Sequence, residues 1–524
     1  MGEDSLLQQY GTTYAIGAVV VLLLLTLLRG RSNKDLKRLP PGPKPWPIIG
    51  NLNEMGQMNH LGMANISKKY GSPLIHLWLG SVHLIVANSM ETAKQILKVQ
   101  DANWASRPIL TPLSILTFNN QSVSTAPYGP VWRSLRKVYV LELLSATRMK
   151  SFQPQRVEEI KEAVWTLLEE SNGKKAVQIE PKVKDHLTNI VTRIIMSKRY
   201  FGTHASIDAS AKFQESVRQS LVLLGLFHLG DYIPLFKHWD VQRNRKNMKE
   251  AHALLDAFLQ KTVDERKQQI AQKRNTGDTK FQEKGDFLDV LLNRSGDKDD
   301  IKITDEMTKG IIQDTILGGV GSSATSVEWT LSEILRHPKI LKKLQDELDM
   351  TVGRERLVTE EDISKLPYLQ AVVKESFRMH PVTPLLIPRI SLEACEIEGY
   401  YIPAGTHAFV NVWAIGQDSE VWENPQDFNP DRFLGNPIDV IGADFELLPF
   451  GSGRRKCPGI NLGVIFVQYL LAVLLQNCDW SFPPGKTPDT FDMREGVGIV
   501  NHRIERLAAI LTRRLPRHIL APAT

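Results

Sequence analysis

Pro449-Phe-Gly-Ser-Gly-Arg-Arg-Lys-Cys-Pro-Gly459, followed by an apolar run over residues 460–475, carries the densest chemical information in the chain. Glycines at 451 and 453 permit backbone turns closed to other residues, so the loop can bulge and lie flat beneath a planar ligand. Cys457 stands just ahead of the helix that the apolar run predicts, and Pro458 suits its first turn. The helix N-terminus, its unpaired N–H groups and Arg454, Arg455 and Lys456 are expected to favour thiolate over thiol. A thiolate so placed is a metal ligand or a nucleophile. Free cysteine is more often a small buried hydrophobe, which accounts for Cys395 and Cys478 but leaves the glycines and bases around Cys457 unexplained.

The rest of the composition narrows the field. A chain of 524 residues, 42% hydrophobic and 23% charged, can bury a large core, which excludes disordered, collagenous and small disulfide-built proteins. Three cysteines without a CxxC pair argue against a disulfide framework or zinc. The formal net charge is +6, and most of it sits in residues 29–38, where five bases face one acid. What remains is too weak a field for nucleic acid, so no nucleic-acid partner is expected.

Residues 5–28 carry no charge, and 14–28 are almost wholly apolar. About 20 such residues span a bilayer core. Acids precede the run and bases follow it, the reverse of a cleaved signal peptide. The positive-inside preference puts everything after it in the cytosol. Residues 1–30 therefore read as a luminal tip and single transmembrane anchor in membrane lipid, and 31–50 as a basic, proline-rich hinge. Five prolines within 39–47 end the helix and stiffen the connection.

Beyond residue 50 helical periodicity dominates, at 60–70, 90–99, 155–170, 184–198, 249–274, 304–336, 339–351, 367–379 and 461–476. Alternating runs at 74–79 and 81–86 predict a hairpin around Gly80. A second β region is expected over 394–412, with Pro403-Ala404-Gly405 as its turn, and a charged loop over 273–302 with one short helix at 286–292. Residues 51–524 thus form one large, mainly helical domain with a small β region. The helix at 304–336 would be about 50 Å long. Its middle holds Gly318, Gly319 and Gly321, each costing about 1 kcal/mol against alanine. Either a tight helix crossing or close approach of another group to the backbone would explain them.

The cysteine loop has the form F-x-x-G-x-R-x-C-x-G in Phe450, Gly453, Arg455, Cys457 and Gly459, and with it the chain resembles the cytochrome P-450 superfamily of haem-thiolate monooxygenases. Trp132-Arg-Ser-Leu-Arg136 is similar to the family's W-x-x-x-R helix, Glu375-Ser-Phe-Arg378 to its E-x-x-R, and Asn429-Pro-Asp-Arg-Phe433 to its P-x-R-F element. The flavour is that of plant microsomal members. The resemblance implies haem b, with Cys457 as axial ligand of the iron, Phe450 and Gly451 beneath the ring, and Trp132, Arg136, Arg389 and Arg455 on its propionates. The resemblance further implies that Glu375, Arg378 and Arg432 form a buried, structural ion network; taken alone, the Glu375–Arg378 pair would be a surface contact worth under about 1 kcal/mol. An NADPH-cytochrome P-450 reductase is the implied partner, with Arg133, Arg136 and Lys137 on a basic docking face, and the endoplasmic reticulum membrane the implied location.

One motif departs from the family. Where an acid and two threonines are expected near the haem, this chain has Gly321-Ser322-Ser323. Ser322 and Ser323 keep hydroxyls that can guide protons, whereas Gly321 leaves space for water or a substrate group. The implied function is insertion of one oxygen atom from dioxygen into a small apolar or aromatic plant metabolite, with a phenylpropanoid or flavonoid favoured. The alternatives are a haem-thiolate isomerase, dehydratase or oxime-forming enzyme, and a haem-binding partner without turnover. The pocket is expected to draw on Val320, Leu385, Ile387 and Val497, with the loop at 108–125.

Overall fold

The computed structural model describes Gly17 and residues 38–521, apart from 58, 203–206, 238, 276–284, 294–300 and 497. The expected anchor, Gly17 aside, the first residues of the hinge and Val497 lie outside the described residues.

Helix α1 (His60–Tyr70) starts where the Asn59 side chain accepts from the Gly62 N–H, and stops at left-handed Gly71. Strands β1 (Leu74–Leu79) and β2 (Val82–Ala87) form the expected hairpin about Gly80, whose φ is 60°. Helices α2 (Pro130–Val138) and α3 (Gln153–Ser171), strand β3 (Ala176–Gln178), and helices α4 (Ile179–Met196), α5 (Ile207–Leu224) and α6 (Asn244–Asn275) follow. Next come the long helix α7 (Asp305–Arg336), α8 (Pro338–Thr351) and α9 (Pro367–Met379). Strands β4 (Arg389–Ile390), β5 (Cys395–Ile397), β6 (Tyr400–Ile402) and β7 (His407–Val410) precede helix α10 (Ile460–Asn477) and strands β8 (Cys478–Ser481) and β9 (Ala508–Arg513).

Helix α10 is apolar nearly all round because it is the centre of the core, packed by α3, α7, α8 and α9. With a mean hydropathy of 1.6 it is long and apolar enough to cross a membrane, yet 67% of it is buried inside the protein. Around it, one continuous apolar cluster runs through α3, α4, α7 and α9.

Among the described residues the strands gather in three small sheets, ordered β1-β2-β7-β4, β3-β9-β8 and β5-β6. The turn expected at 403–405 closes no hairpin. Instead β5 and β6 turn at Glu398 and Gly399, and β7 leaves them to pair in parallel with β2 and antiparallel with β4. Alternation along a strand does not specify its neighbour, so the turn residues at 403–405 do not by themselves make a hairpin.

Helix α7 answers the question its glycines raised. A Cβ at Gly318 or Gly321 would meet nothing within 4 Å, and one at Gly319 would rest 3.7 Å from Val191, an ordinary contact. Those glycines open a face of the helix rather than seat a tight crossing. The glycine that does permit close approach is Gly310, where a Cβ would lie 2.5 Å from the Gln121 carbonyl.

Candidate active site

Two left-handed glycines shape the cysteine loop, Gly451 at φ 66° and Gly453 at φ 73°. A side chain at 453 would collide with the Leu97 carbonyl and the Asp101 carboxylate. The Cys457 N–H donates to the Phe450 carbonyl at 3.0 Å, closing the loop so that the sulfur is held at the threshold of α10. The Phe450 ring packs edge-on against Phe377, and a Cβ at Gly463 would touch it at 3.6 Å.

The three bases beside Cys457 do not activate it. Arg454 pairs with Asp101 at 2.9 Å, Lys456 donates to the Ile441 carbonyl, and Arg455 turns to backbone carbonyls. Burial pushes the Cys457 thiol up, against the pull of the Gly459 N–H and the Arg136 guanidinium. The expectation of a thiolate favoured by adjacent charge is therefore corrected: the neighbours in sequence point elsewhere. A bound metal ion deprotonates such a thiol outright, so the loop suits Cys457 as a metal ligand.

Above this loop lies a concentration of positive charge. Arg107, Arg389 and Arg455 are all buried. Only Arg389 reaches a carboxylate, Asp101 at 3.2 Å. Arg455 donates to the carbonyls of Ala105, Val123 and Ala126, and Arg107 to those of Ser124, Ile387 and Pro388. Burial, with Arg389 and Arg136 nearby, brings Arg455 down to about 9; burial brings Arg389 down to about 10 despite Asp101. Arg107 is lowered by burial and by the other two arginines. Burying like charges together is costly, and an anionic group among them would offset that cost. A planar group bearing a metal ion and two carboxylates fits this donor set of one thiol and several guanidiniums. Trp132, whose indole N–H donates to Val123 O at 3.1 Å, and Arg136 extend the same wall from α2.

The family profile described as Cytochrome P450 matches residues 40–507. The chain is a cytochrome P450. A flavonoid 3'-monooxygenase of Arabidopsis thaliana is 39% identical over 96% of both chains. A flavonoid 3',5'-hydroxylase of Eustoma exaltatum subsp. russellianum is 38% identical over 94% of each. Among solved structures, a zebra fish cytochrome P450 with progesterone superposes with a TM-score of 0.72 at 26% identity, covering 86% of this chain and 99% of that one. The fold is thus the single haem domain of a P450, mainly α with a small β region, and the protein is a P450 monooxygenase.

The ion network of this P450 is far more enclosed than its spacing suggested. Glu375 and Arg378 are fully buried, joined by two bonds of 2.8 Å. Arg432 reaches Glu375 at 3.0 Å, and the Asn429 N–H adds a fourth donor. Arg378 also ties down the carbonyls of Gly416 and Pro425. By contrast, Glu159, Glu162 and His186 converge as metal ligands do, but Arg193 and Arg199 pair with the two carboxylates and His186 bonds Glu159 at 3.2 Å; the carboxylate charges there are already met.

On α7, the hydroxyl of Ser322 donates to the Gly318 carbonyl at 2.6 Å and that of Ser323 to Gly319 at 2.8 Å. Ser322 lies with Gly318 and Gly321 on the open face, while Ser323 is buried. Of the residues expected in the substrate pocket, Val320 is packed in the core, Leu385 packs against the β1–β2 cluster and Ile387 is exposed. Sequence reasoning missed Arg107, Asp101 and Asp314. Arg107 stands next to Pro108 in an unremarkable loop, and two of its three partners, Ile387 and Pro388, lie 280 and 281 positions away.

Proposed function

We propose that this P450 is a membrane-anchored haem-thiolate monooxygenase that inserts one oxygen atom from dioxygen into a flavonoid or related phenolic plant metabolite, using electrons from an NADPH-dependent reductase. The unbalanced arginine cluster over the Cys457 loop carries the haem assignment, and the flavonoid-hydroxylating relatives support the substrate class. Cys457 would ligate the iron, with Phe450 and Gly451 against the ring. Arg389, Arg455, Trp132 and Arg136 would bind the propionates, and Arg107 joins them. When bound, haem iron supplies reductive activation of dioxygen and transfer of one of its atoms. The chain itself binds and orients: Leu385 and Ile387, with the expected contributions of Val320 and Val497, would line the substrate side.

The test is reconstitution with reductase and NADPH against a flavonoid and phenylpropanoid panel under isotopically labelled dioxygen. A product carrying one labelled oxygen is the expected result. Turnover that needs neither reductase nor dioxygen would replace this reading with the isomerase or dehydratase, which the glycine at 321 supports.

Protons are expected to reach the site through water or a substrate hydroxyl beside Gly321. Both serine hydroxyls are committed to their own helix, and no side chain occupies the space at 321. Gly321→Asp should fold, since a Cβ there meets nothing within 4 Å. Its ratio of NADPH consumed to product formed is expected to change several-fold. An unchanged ratio across substrates would remove position 321 from proton delivery.

Membrane placement draws support from the surface. The hinge runs into exposed Trp46 and Ile48, and Leu235, Trp239 and Val241 are exposed in the segment before α6. Both segments pack against the β1–β2 turn: the Gly80 N–H donates to Ile49 O, and the Ser81 N–H to Tyr232 O. Exposed tryptophans with aliphatic neighbours suit a lipid interface. With residues 1–30 deleted, the protein is expected to sediment partly with vesicles, and Leu235→Asp with Trp239→Asp should release it. Full solubility of the deleted form alone would assign all membrane contact to the anchor.

A further inference from the structure

We propose that Asp314 is a positioning residue for the haem site, acting through the peptide group between Val123 and Ser124. The inference rests on the reading that the buried arginines hold the haem carboxylates.

One face of that peptide points to α7. The Ser124 N–H donates to Asp314 Oδ2 at 2.8 Å, and the Ser124 hydroxyl donates to Oδ1 at 2.6 Å. The other face points to the cationic wall. Val123 O, across the same peptide plane, accepts from Trp132 Nε1 at 3.1 Å and from Arg455 Nη1 at 3.2 Å. One peptide further on, Ser124 O accepts from Arg107 Nε at 3.1 Å. Because the peptide unit is planar and rigid, a carboxylate that fixes its N–H also fixes the direction of its carbonyl. A negative charge on the N–H side further polarises the carbonyl toward its cationic partners. Two of the five side chains assigned to the propionates thus take their aim from a carboxylate that touches neither of them.

The rest of the segment is seated to make this possible. Gln313 donates to Leu116 O at 2.8 Å, and Gly310 clears the Gln121 carbonyl. Phe118, Asn119 and Asn120 take successive left-handed conformations, with φ of 50°, 55° and 58°, a costly turn that persists only when its surroundings hold it. Burial pushes the Asp314 carboxyl up, opposed by its bonds from Ser124, and its charge supports that of Arg107.

The experiment follows haem transfer from the purified holoenzyme to excess apomyoglobin, alongside the thermal midpoint. Asp314→Ala is expected to speed transfer about tenfold, the factor one lost charge-assisted bond supplies. Asp314→Asn, which keeps shape but not charge, should fall between it and the parent. Gln313→Ala is the comparison: it loses a bond from the same helix to the same loop without touching the 123–124 peptide. It should lower the midpoint while leaving transfer within about twofold of the parent, since its lost bond lies outside the relay. In an Arg455→Gln background, Asp314→Ala should accelerate transfer less than it does alone. Equal acceleration by Asp314→Ala and Gln313→Ala, or full additivity with Arg455→Gln, would reduce Asp314 to a structural contact. If Arg455→Gln and Arg107→Gln both leave transfer unchanged, the arginine reading itself falls. Should Asp314→Ala not accumulate, Ser124→Ala removes the 2.6 Å bond alone and carries the same comparison.

Discussion

Replacing Cys457 with serine is expected to abolish monooxygenation while leaving a folded protein. The sulfur contributes little to packing that a hydroxyl of similar size would not, because the loop is closed by backbone: Cys457 N–H to Phe450 O and the glycine turns at 451 and 453. What the substitution removes is the one soft, ionisable donor facing Arg136. Thiolate ligation pushes electron density onto haem iron and favours cleavage of the oxygen–oxygen bond, and an alcohol does not ionise in such a site. The carbon monoxide difference spectrum of the reduced protein reports this directly. It should lose the band diagnostic of thiolate ligation, and turnover should fall by at least about 10³-fold, the scale of removing an essential group. Retention of the thiolate band in Cys457→Ser would transfer the ligand role to another residue.

The second large effect is structural. Glu375→Ala is expected to cost about 3–5 kcal/mol, because it strands a fully buried guanidinium and leaves the Asn429 N–H without its acceptor. That is a substantial share of the roughly 5–15 kcal/mol available to a folded domain. Arg378 also binds the carbonyls of Gly416 and Pro425, and Arg432 that of Glu423. Losing the carboxylate therefore loosens the whole segment from 416 to 432 that covers α9. Denaturant unfolding of the holoprotein, with its yield, measures the effect. A loss under about 1 kcal/mol would mean that the pair behaves as a surface contact.

That contrast marks what sequence can carry. Glutamate and arginine three residues apart look the same on an exposed helix and on α9, and burial depends on residues 416–432 folding over them. Cys457 was legible because its signal is local: three glycines, two prolines and a cysteine in eleven residues impose a shape wherever they occur. The bases around it were misread for a related reason. Composition places charge near the sulfur, but side-chain direction depends on Asp101, Ala105 and Ile441, which arrive from elsewhere. Most long helices were legible from period alone, to within about five residues at their ends, but α5 (Ile207–Leu224) was not. The destination of β7 was not, since an alternating strand pairs with whichever edge the topology brings. Arg107 and Asp314 were invisible because most of their partners are backbone groups, which any residue type supplies.

The pairing of β2 with β7 has a consequence for synthesis. Leu84 pairs with His407, and Ala87 with Val410, so the first hairpin must wait for a strand more than three hundred residues downstream. At about 5–20 residues per second, translation leaves that edge uncovered for roughly 16–65 s. An unpaired apolar edge strand is a template for aggregation, and the long loop closure slows its rescue. Emergence of β7, only some fifty residues before Cys457, is then the event that shuts the sheet, so this seam closes shortly before the Cys457 loop leaves the ribosome.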